Sequence, residues 1–316
     1  MARWLARPLL SSSPIAPDED NPIALSGQTL VQLERLSFLS RQRATAGPGG
    51  EHRSRGRAPS TDFVDYRPYQ PGDDFRRVDW SVYGRLDTLQ IRLTEARERL
   101  ELHLLVDCSA SMRWGEPDKL VYAARVASAL GYVALGRFDA VRVLLLGEEQ
   151  HALGPLRGRA RYHELARFLA DVAPGGRIDL DQQIGSCLPR RFGTARRGQP
   201  LVVLISDLLA PGGLESGTDA LLREGADVVV VHVLSRQEEQ PIPSGEVELI
   251  DAESGESLEV GLSVEAVARY RERFVAWLDQ IERFHSGRGL RYVRTRTDRP
   301  VDLLLLDDLR RGGVLR

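Results

Sequence analysis

Apolar residues fall along this chain in short unbroken runs, separated by longer stretches with helical spacing. Leu102-His103-Leu104-Leu105-Val106 runs into Asp107, and Val141 to Leu146, Leu201 to Ser206 and Val228 to Leu234 follow, with a last strand near 290 to 296. Between these runs the spacing predicts helices from Lys119 to about Leu135 and near 161 to 172, 180 to 191, 214 to 224 and 264 to 286. Apolar strands that alternate with helices build a parallel sheet covered on both faces, with right-handed crossovers. The pattern therefore predicts an α/β, doubly wound domain over residues 101–316.

Upstream the pattern is weaker. Residues 1–28, rich in Ser, Pro, Asp and Asn, read as a mobile tail. In residues 29–60, Leu30, Leu33, Leu36, Phe38 and Leu39 predict a short amphipathic helix between Thr29 and Arg43, followed by a glycine-rich loop bearing Arg53, Arg55 and Arg57. Residues 61–100 alternate apolar and polar in places, as in Leu89-Gln90-Ile91-Arg92-Leu93, and are broken by Pro68, Pro71-Gly72 and Gly84, which predicts a smaller β-rich unit. A hairpin over 245–262, turning at Asp251-Ala252-Glu253-Ser254-Gly255-Glu256, is expected to complete that unit.

Composition narrows the function classes. The 316 residues include 43 basic and 45 acidic side chains, so no overall field favours nucleic acid or an anionic membrane. Lys119 is the single lysine. Two cysteines in unrelated segments, Cys108 and Cys187, argue against a disulfide scaffold and fit a reducing compartment, so the expected location is the cytoplasm. No window approaches the roughly 18 apolar residues of a membrane span. The six histidines lack the i, i+4 spacing of a catalytic zinc helix, and no Gly-x-x-x-x-Gly-Lys-Ser/Thr loop precedes Lys119. Nucleotide hydrolysis would have to come from a partner.

The chemistry concentrates after the first core strand. Asp107-Cys108-Ser109-Ala110-Ser111 sets one carboxylate and two hydroxyls two residues apart on a tight loop, where loops and helix starts converge at the carboxyl ends of the strands. Such oxygens suit a hard octahedral cation, Mg²⁺ or Mn²⁺, and Asp207 after the run Ile205-Ser206 supplies a second carboxylate from a neighbouring loop. Alternatively, Ser109 and Ser111 cap the following helix and Asp107 binds backbone amides.

Tyr66-Arg67-Pro68-Tyr69-Gln70-Pro71-Gly72-Asp73-Asp74-Phe75-Arg76-Arg77-Val78-Asp79-Trp80, followed by Val106-Asp107-Cys108-Ser109-Ala110-Ser111-Met112, resembles the bacterial family called domain of unknown function 58. The resemblance continues through Ile205-Ser206-Asp207-Leu208-Leu209 and Leu249-Ile250-Asp251-Ala252-Glu253-Ser254-Gly255-Glu256. It implies a von Willebrand factor A-like fold and a metal-ion-dependent adhesion site. It further implies a gene beside that of a MoxR-type AAA+ ATPase, which the protein would help to act on client proteins as a chaperone or in cofactor insertion. Related sites take a threonine from the loop after the third core strand. Here Gly175-Gly176-Arg177-Ile178-Asp179-Leu180 offers Ile178 at that place, so Asp179 or water has to substitute, or the site has decayed.

Three readings follow: a non-enzymatic, metal-using protein-binding adaptor, a metal-independent scaffold of the same fold, and a metal-dependent hydrolase with Asp207 or Asp179 as base. The signature residues Asp73, Asp74, Arg76, Arg77, Asp79 and Trp80 read either as a docking surface or as a charge-paired turn, anchored by Trp80, that locks the β-rich unit to the main domain. Cys108, with no histidine adjacent in sequence, is expected to fill buried space.

Overall fold

A computed structural model describes residues 4–6, 23, 25–39, 63–94, 100–176, 178–191, 200–210, 213–242 and 245–316. The first elements are β1 (Trp4–Ala6), α1 (Gly27–Leu33), β2 (Phe63–Pro68), α2 (Trp80–Leu86) and β3 (Gln90–Thr94). Then come β4 (Glu101–Asp107), α3 (Lys119–Gly136), β5 (Ala140–Leu146), β6 (His151–Arg157), α4 (Tyr162–Ala170), α5 (Leu180–Arg191), β7 (Leu201–Ser206) and α6 (Glu215–Arg223). The chain continues with β8 (Asp227–Leu234), α7 (Arg236–Glu239), β9 (Gly245–Asp251), β10 (Ser257–Leu262), α8 (Val264–Gly287) and β11 (Arg291–Arg296), and ends in short helical turns over Val301–Arg311. Its contacts divide it into two units, Met1–Thr45 with Leu100–Arg316, and Ala46–Arg99.

The larger unit holds a six-stranded sheet in the order β11-β8-β7-β4-β5-β6. Every pair is parallel except β5 with β6. Numbered by their appearance in this sheet, the strands run 3-2-1-4-5-6, the doubly wound order, with the third strand reversed at the edge. This is the expected von Willebrand factor A-like architecture. The winding changes direction between β4 and β7, so their carboxyl ends, Asp107 and Ser206, mark the switch point at which folds of this class bind ligands.

Burial explains the sequence pattern. All residues of β7 and β8 are buried, and α3 is buried around nearly its whole circumference, which its alanines and glycines allow by letting neighbours approach closely. The long α8 buries one stripe, Val267, Phe274, Leu278 and His285. The edge strand β6 escaped the reading because only Leu156 of its residues is buried and Gly154-Pro155 interrupts it. Proline is tolerated on an edge, and Gly154 adopts φ 107° where the pairing with β5 shifts register.

Several expectations change. The hairpin β9–β10 takes β1 as its third strand, while β2 and β3 form their own two-stranded sheet, so residues 245–262 do not complete the β-rich unit. The 1–28 segment, expected as a mobile tail, contributes β1 and the buried side chains of Ile23 and Leu25. Helix α1 ends at Leu33, short of the span expected to Arg43. A turn at Glu34 and Arg35 follows it, then Phe38 bridges to Leu315, and the arginine-bearing loop at 53–57 lies outside the described residues. In the smaller unit, Val78 bridges Ile91, and both are buried with Val82.

One buried ion pair staples the sheet to both chain ends of the larger unit. The Arg291 guanidinium on β11 donates to Asp227 of β8 at 2.6 Å, to the Gly313 carbonyl at 2.6 Å and to the Leu39 carbonyl at 3.3 Å. Removing one partner of a buried pair leaves the other uncompensated, so Arg291→Ala is expected to lower the unfolding free energy by about 3–5 kcal/mol in urea denaturation. A loss of less than about 1 kcal/mol would show that this staple is dispensable.

Candidate functional site

Asp107 and Asp207 meet at this switch point, each wholly buried. Asp107 Oδ1 accepts from the Ser109 amide at 2.8 Å, and its Oδ2 accepts from the Ser206 hydroxyl at 2.5 Å. The Ser109 and Ser111 hydroxyls lie 3.0 Å apart beside Asp107 and Asp207, whose ionised forms they favour. The Leu208 amide donates to Ser206 Oγ and the Leu209 amide to Asp207 Oδ1, turning the chain sharply after β7 with Leu208 at φ 57°.

Lys119, the first residue of α3, completes the cluster. Its ammonium donates to Asp207 Oδ2 at 2.7 Å and to Glu238 Oε1 at 2.5 Å, and its side chain is 0% exposed. A cation at a helix amino terminus opposes the helix dipole, so these two carboxylates are what make its position tenable. Glu238 is itself fixed by a capping box: its Oε2 accepts from the Ser235 amide at 2.7 Å while Ser235 Oγ accepts from the Glu238 amide. The loop before α3 presses close to this cap. A Cβ on Gly115, at φ 107°, would come within 2.6 Å of the Ser235 Cβ.

His232 of β8 supports Asp207 from below. Its Nε2 lies 2.9 Å from the Asp207 carbonyl and its Nδ1 2.6 Å from the Tyr292 hydroxyl. A carbonyl only accepts, so Nε2 carries the proton and Nδ1 receives that of Tyr292.

The charges follow from these contacts. Burial pushes Asp107 up to about 7, with the neighbouring Asp207 charge adding to it against the hydrogen bonds from Ser206 and Ser109. Burial opposes the ionised form of Asp207 too, but Lys119 outweighs it and holds that carboxyl below the usual range. The lysine pays for its own desolvation through Asp207 and Glu238, which keep its pKa above the ordinary value. Burial drives His232 down to about 3 and the Cys108 thiol up to about 12.

A metal-ion-dependent adhesion site requires oxygen donors around a cation and one coordination position open to a partner's carboxylate. The 3.0 Å spacing of the two hydroxyls suits an edge of an octahedron with bonds of about 2.1 Å as well as it suits a hydrogen bond. The remaining donors do not fit. Both oxygens of Asp107 and of Asp207 are held by internal donors, and Asp107, Ser109, Ser111 and Asp207 are at most 1% exposed, which leaves no face for a partner. Asp179 is exposed and accepts from the Gln182 amide at 3.0 Å at the start of α5, while Ile178 packs in the core with Leu180 and Ile184. Among the described residues no three His, Cys, Asp or Glu side chains gather as a metal-ligand set.

Sequence reading brought out Asp107, Ser109, Ser111 and Asp207, which the fold brings together, and Asp179, which it does not. It missed Lys119, Ser206, His232 and Glu238 as parts of the same cluster. Lys119 was measurable only against a nucleotide-binding loop, and Glu238 lies 119 residues from it.

The signature segment has its own geometry in the smaller unit. Asp73 takes a two-pronged bond from Arg67 at 2.7 and 2.6 Å, and Asp74 caps a short turn at the Arg76 amide. Asp79 caps α2 at Ser81 and Val82 and accepts from the Tyr66 hydroxyl at 2.8 Å. The three carboxylates thus build the turn, while Trp80, 61% exposed, rests edge-on against Tyr83 with ring centres 6.1 Å apart. The Arg77 side chain lies outside the described residues.

A sequence model of the family described as "Protein of unknown function DUF58" matches residues 65–280. The uncharacterized protein Rv1480 of Mycobacterium tuberculosis is 30% identical over 291 residues, covering 90% of each chain. Among solved structures, the conserved hypothetical protein BatB from Bacteroides thetaiotaomicron aligns at 16% identity and TM-score 0.42, over 68% of this chain and 98% of that one. Proximal thread matrix protein 1 from the mussel byssus, whose structure carries a zinc-occupied MIDAS motif, aligns at 14% identity and TM-score 0.37, over 43% of this chain and 38% of that one.

The neutral burial of His232 makes a pH prediction. The unfolded chain takes up its proton near 6.5 and the folded one only near 3, so this group's contribution to stability is complete above 6.5 and is lost as pH falls toward 3. Asp107, raised to about 7, works oppositely in part of that window, so a variant has to isolate the histidine. Relative to His232→Gln, the wild type is expected to lose about 2 kcal/mol of unfolding free energy between pH 7 and pH 5. A difference independent of pH contradicts the neutral assignment.

Proposed function

The chain belongs to the DUF58 family, and we propose that it is a non-enzymatic, protein-binding scaffold working with a MoxR-type AAA+ ATPase in chaperone-like maturation of a client or in cofactor insertion. The observation that carries the scaffold reading is the closure of the polar cluster. Where an α/β enzyme presents reactive groups at the switch point, here every carboxylate and hydroxyl is bound to another part of the chain. Asp207, held ionised by Lys119, is a weak base, and the Cys108 thiol, buried and raised to about 12, is a weak nucleophile. The first feature speaks against Asp207 as the base of the hydrolase alternative.

The fold then serves as a rigid platform whose loops at the carboxyl ends of the strands meet the partner. The chain carries no phosphate-binding loop of the Walker type, so the ATPase would supply the mechanical work. No helix among the described residues is long and apolar enough to cross a membrane, and low cysteine use agrees with a cytoplasmic workplace. A metal-bridged contact through Asp107, Ser109 and Ser111 is the alternative mode of binding, favoured only by the spacing of the two hydroxyls.

The reading is tested by immobilising the full chain and adding the MoxR-type ATPase of the same organism with ATP, ADP or no nucleotide. Retention that differs between nucleotide states is expected, together with no turnover of generic phosphoester or peptide substrates in Mn²⁺. Absence of retention in every state contradicts the partnership, and turnover abolished by Asp207→Asn contradicts the non-enzymatic role.

A further inference from the structure

We propose that the cation of this adhesion-type site is Lys119 itself, a permanent internal ammonium in place of an exchangeable divalent metal. The chain uses arginine at every other basic position, 43 basic residues in all with one lysine, and among the described residues that lysine is the fully buried one. The choice has a physical reason. A guanidinium is a planar fork with five N–H donors to satisfy, whereas an ammonium is a compact point charge that fits between two carboxylates from different loops. Lys119 Nζ makes that fit, 2.7 Å from Asp207 and 2.5 Å from Glu238.

The same geometry works against a metal. A divalent ion using Asp207 would share that carboxylate with the ammonium, and two cations on one carboxylate repel strongly in a dry interior. The Ser109 and Ser111 hydroxyls are bonded to each other and lie beside Asp107 and Asp207, where they favour the ionised carboxyls without a metal between them. The ammonium also gives a role to Glu238, which has no counterpart among the residues expected to ligate an ion. It is the second acceptor that an ammonium requires and a metal at Asp107, Ser109 and Ser111 would not. The site is thereby locked in one state, insensitive to chelators and to the supply of Mg²⁺ or Mn²⁺. The assignment concerns the same loops as the scaffold reading but does not rest on it, because no partner enters its test.

The test titrates the chelator-stripped full chain with Mn²⁺, following the free-ion signal by electron paramagnetic resonance and the melting temperature in Mn²⁺ and in EDTA. No stoichiometric bound Mn²⁺ and a melting temperature equal within about 1 °C in the two buffers are expected. One bound Mn²⁺ per chain, lost in Asp107→Asn, overturns the assignment. A charge cycle gives an independent answer: Lys119→Met is expected to lower the melting temperature by roughly 10 °C, and adding Asp207→Asn to recover part of that loss, because the pair is then neutral. Losses that simply add in the double variant overturn the claim that the lysine compensates Asp207. Should Lys119→Met not fold, the wild-type titration decides alone.

Discussion

An ammonium at 0% exposure, held between Asp207 and Glu238, is the interaction on which the loop face of this protein depends. Desolvating an ammonium costs several kcal/mol, and its place at the start of α3 adds an unfavourable helix dipole. Two carboxylates from elements 88 and 119 residues away offset that cost. They do so only if the turn after β7 and the cap of α7 are brought to the amino terminus of α3. The lysine therefore specifies where three loops sit, and the close approach of Gly115 to Ser235 records how tightly they are drawn together.

The order extends into the sheet. His232 on β8 receives the Tyr292 proton and donates its own to the Asp207 carbonyl, with Trp277 of α8 edge-on to its ring at 5.4 Å. Tyr270 of the same helix donates to the Glu238 carbonyl at 2.8 Å. Thus α8 braces both ends of the lysine's pair of acceptors. Networks of this kind, buried and satisfied, tend to hold one conformation, which suits a scaffold that has to present the same loops each time.

Much of this was legible in the residue pattern. The buried strands β4, β5, β7 and β8 are nearly continuous apolar runs, and α3 and α8 have helical spacing and polar caps at Asp118 and Ser263, so their boundaries agree with the sequence to within a few residues. Asp107, Ser109, Ser111 and Asp207 were legible because they sit at, or within four residues of, the carboxyl end of a core strand. Less local features were not. β6 carries one buried residue, and β1 acquires a partner 240 and more residues downstream, a pairing that no short window reveals. Asp179 looked like a ligand by composition but serves as a helix cap, a common use of aspartate before a helix. Lys119 was visible as the sole lysine, yet its meaning lay in Glu238, and only the fold brings the two together.

The most direct measurement of the central claim is a crystal structure grown in Mn²⁺ with data collected for anomalous scattering. The account predicts no anomalous peak at the Ser109 and Ser111 hydroxyls, and Lys119 Nζ within hydrogen-bond reach of both Asp207 and Glu238. A manganese peak about 2.1 Å from those hydroxyls, with Lys119 turned away from Asp207, would contradict it.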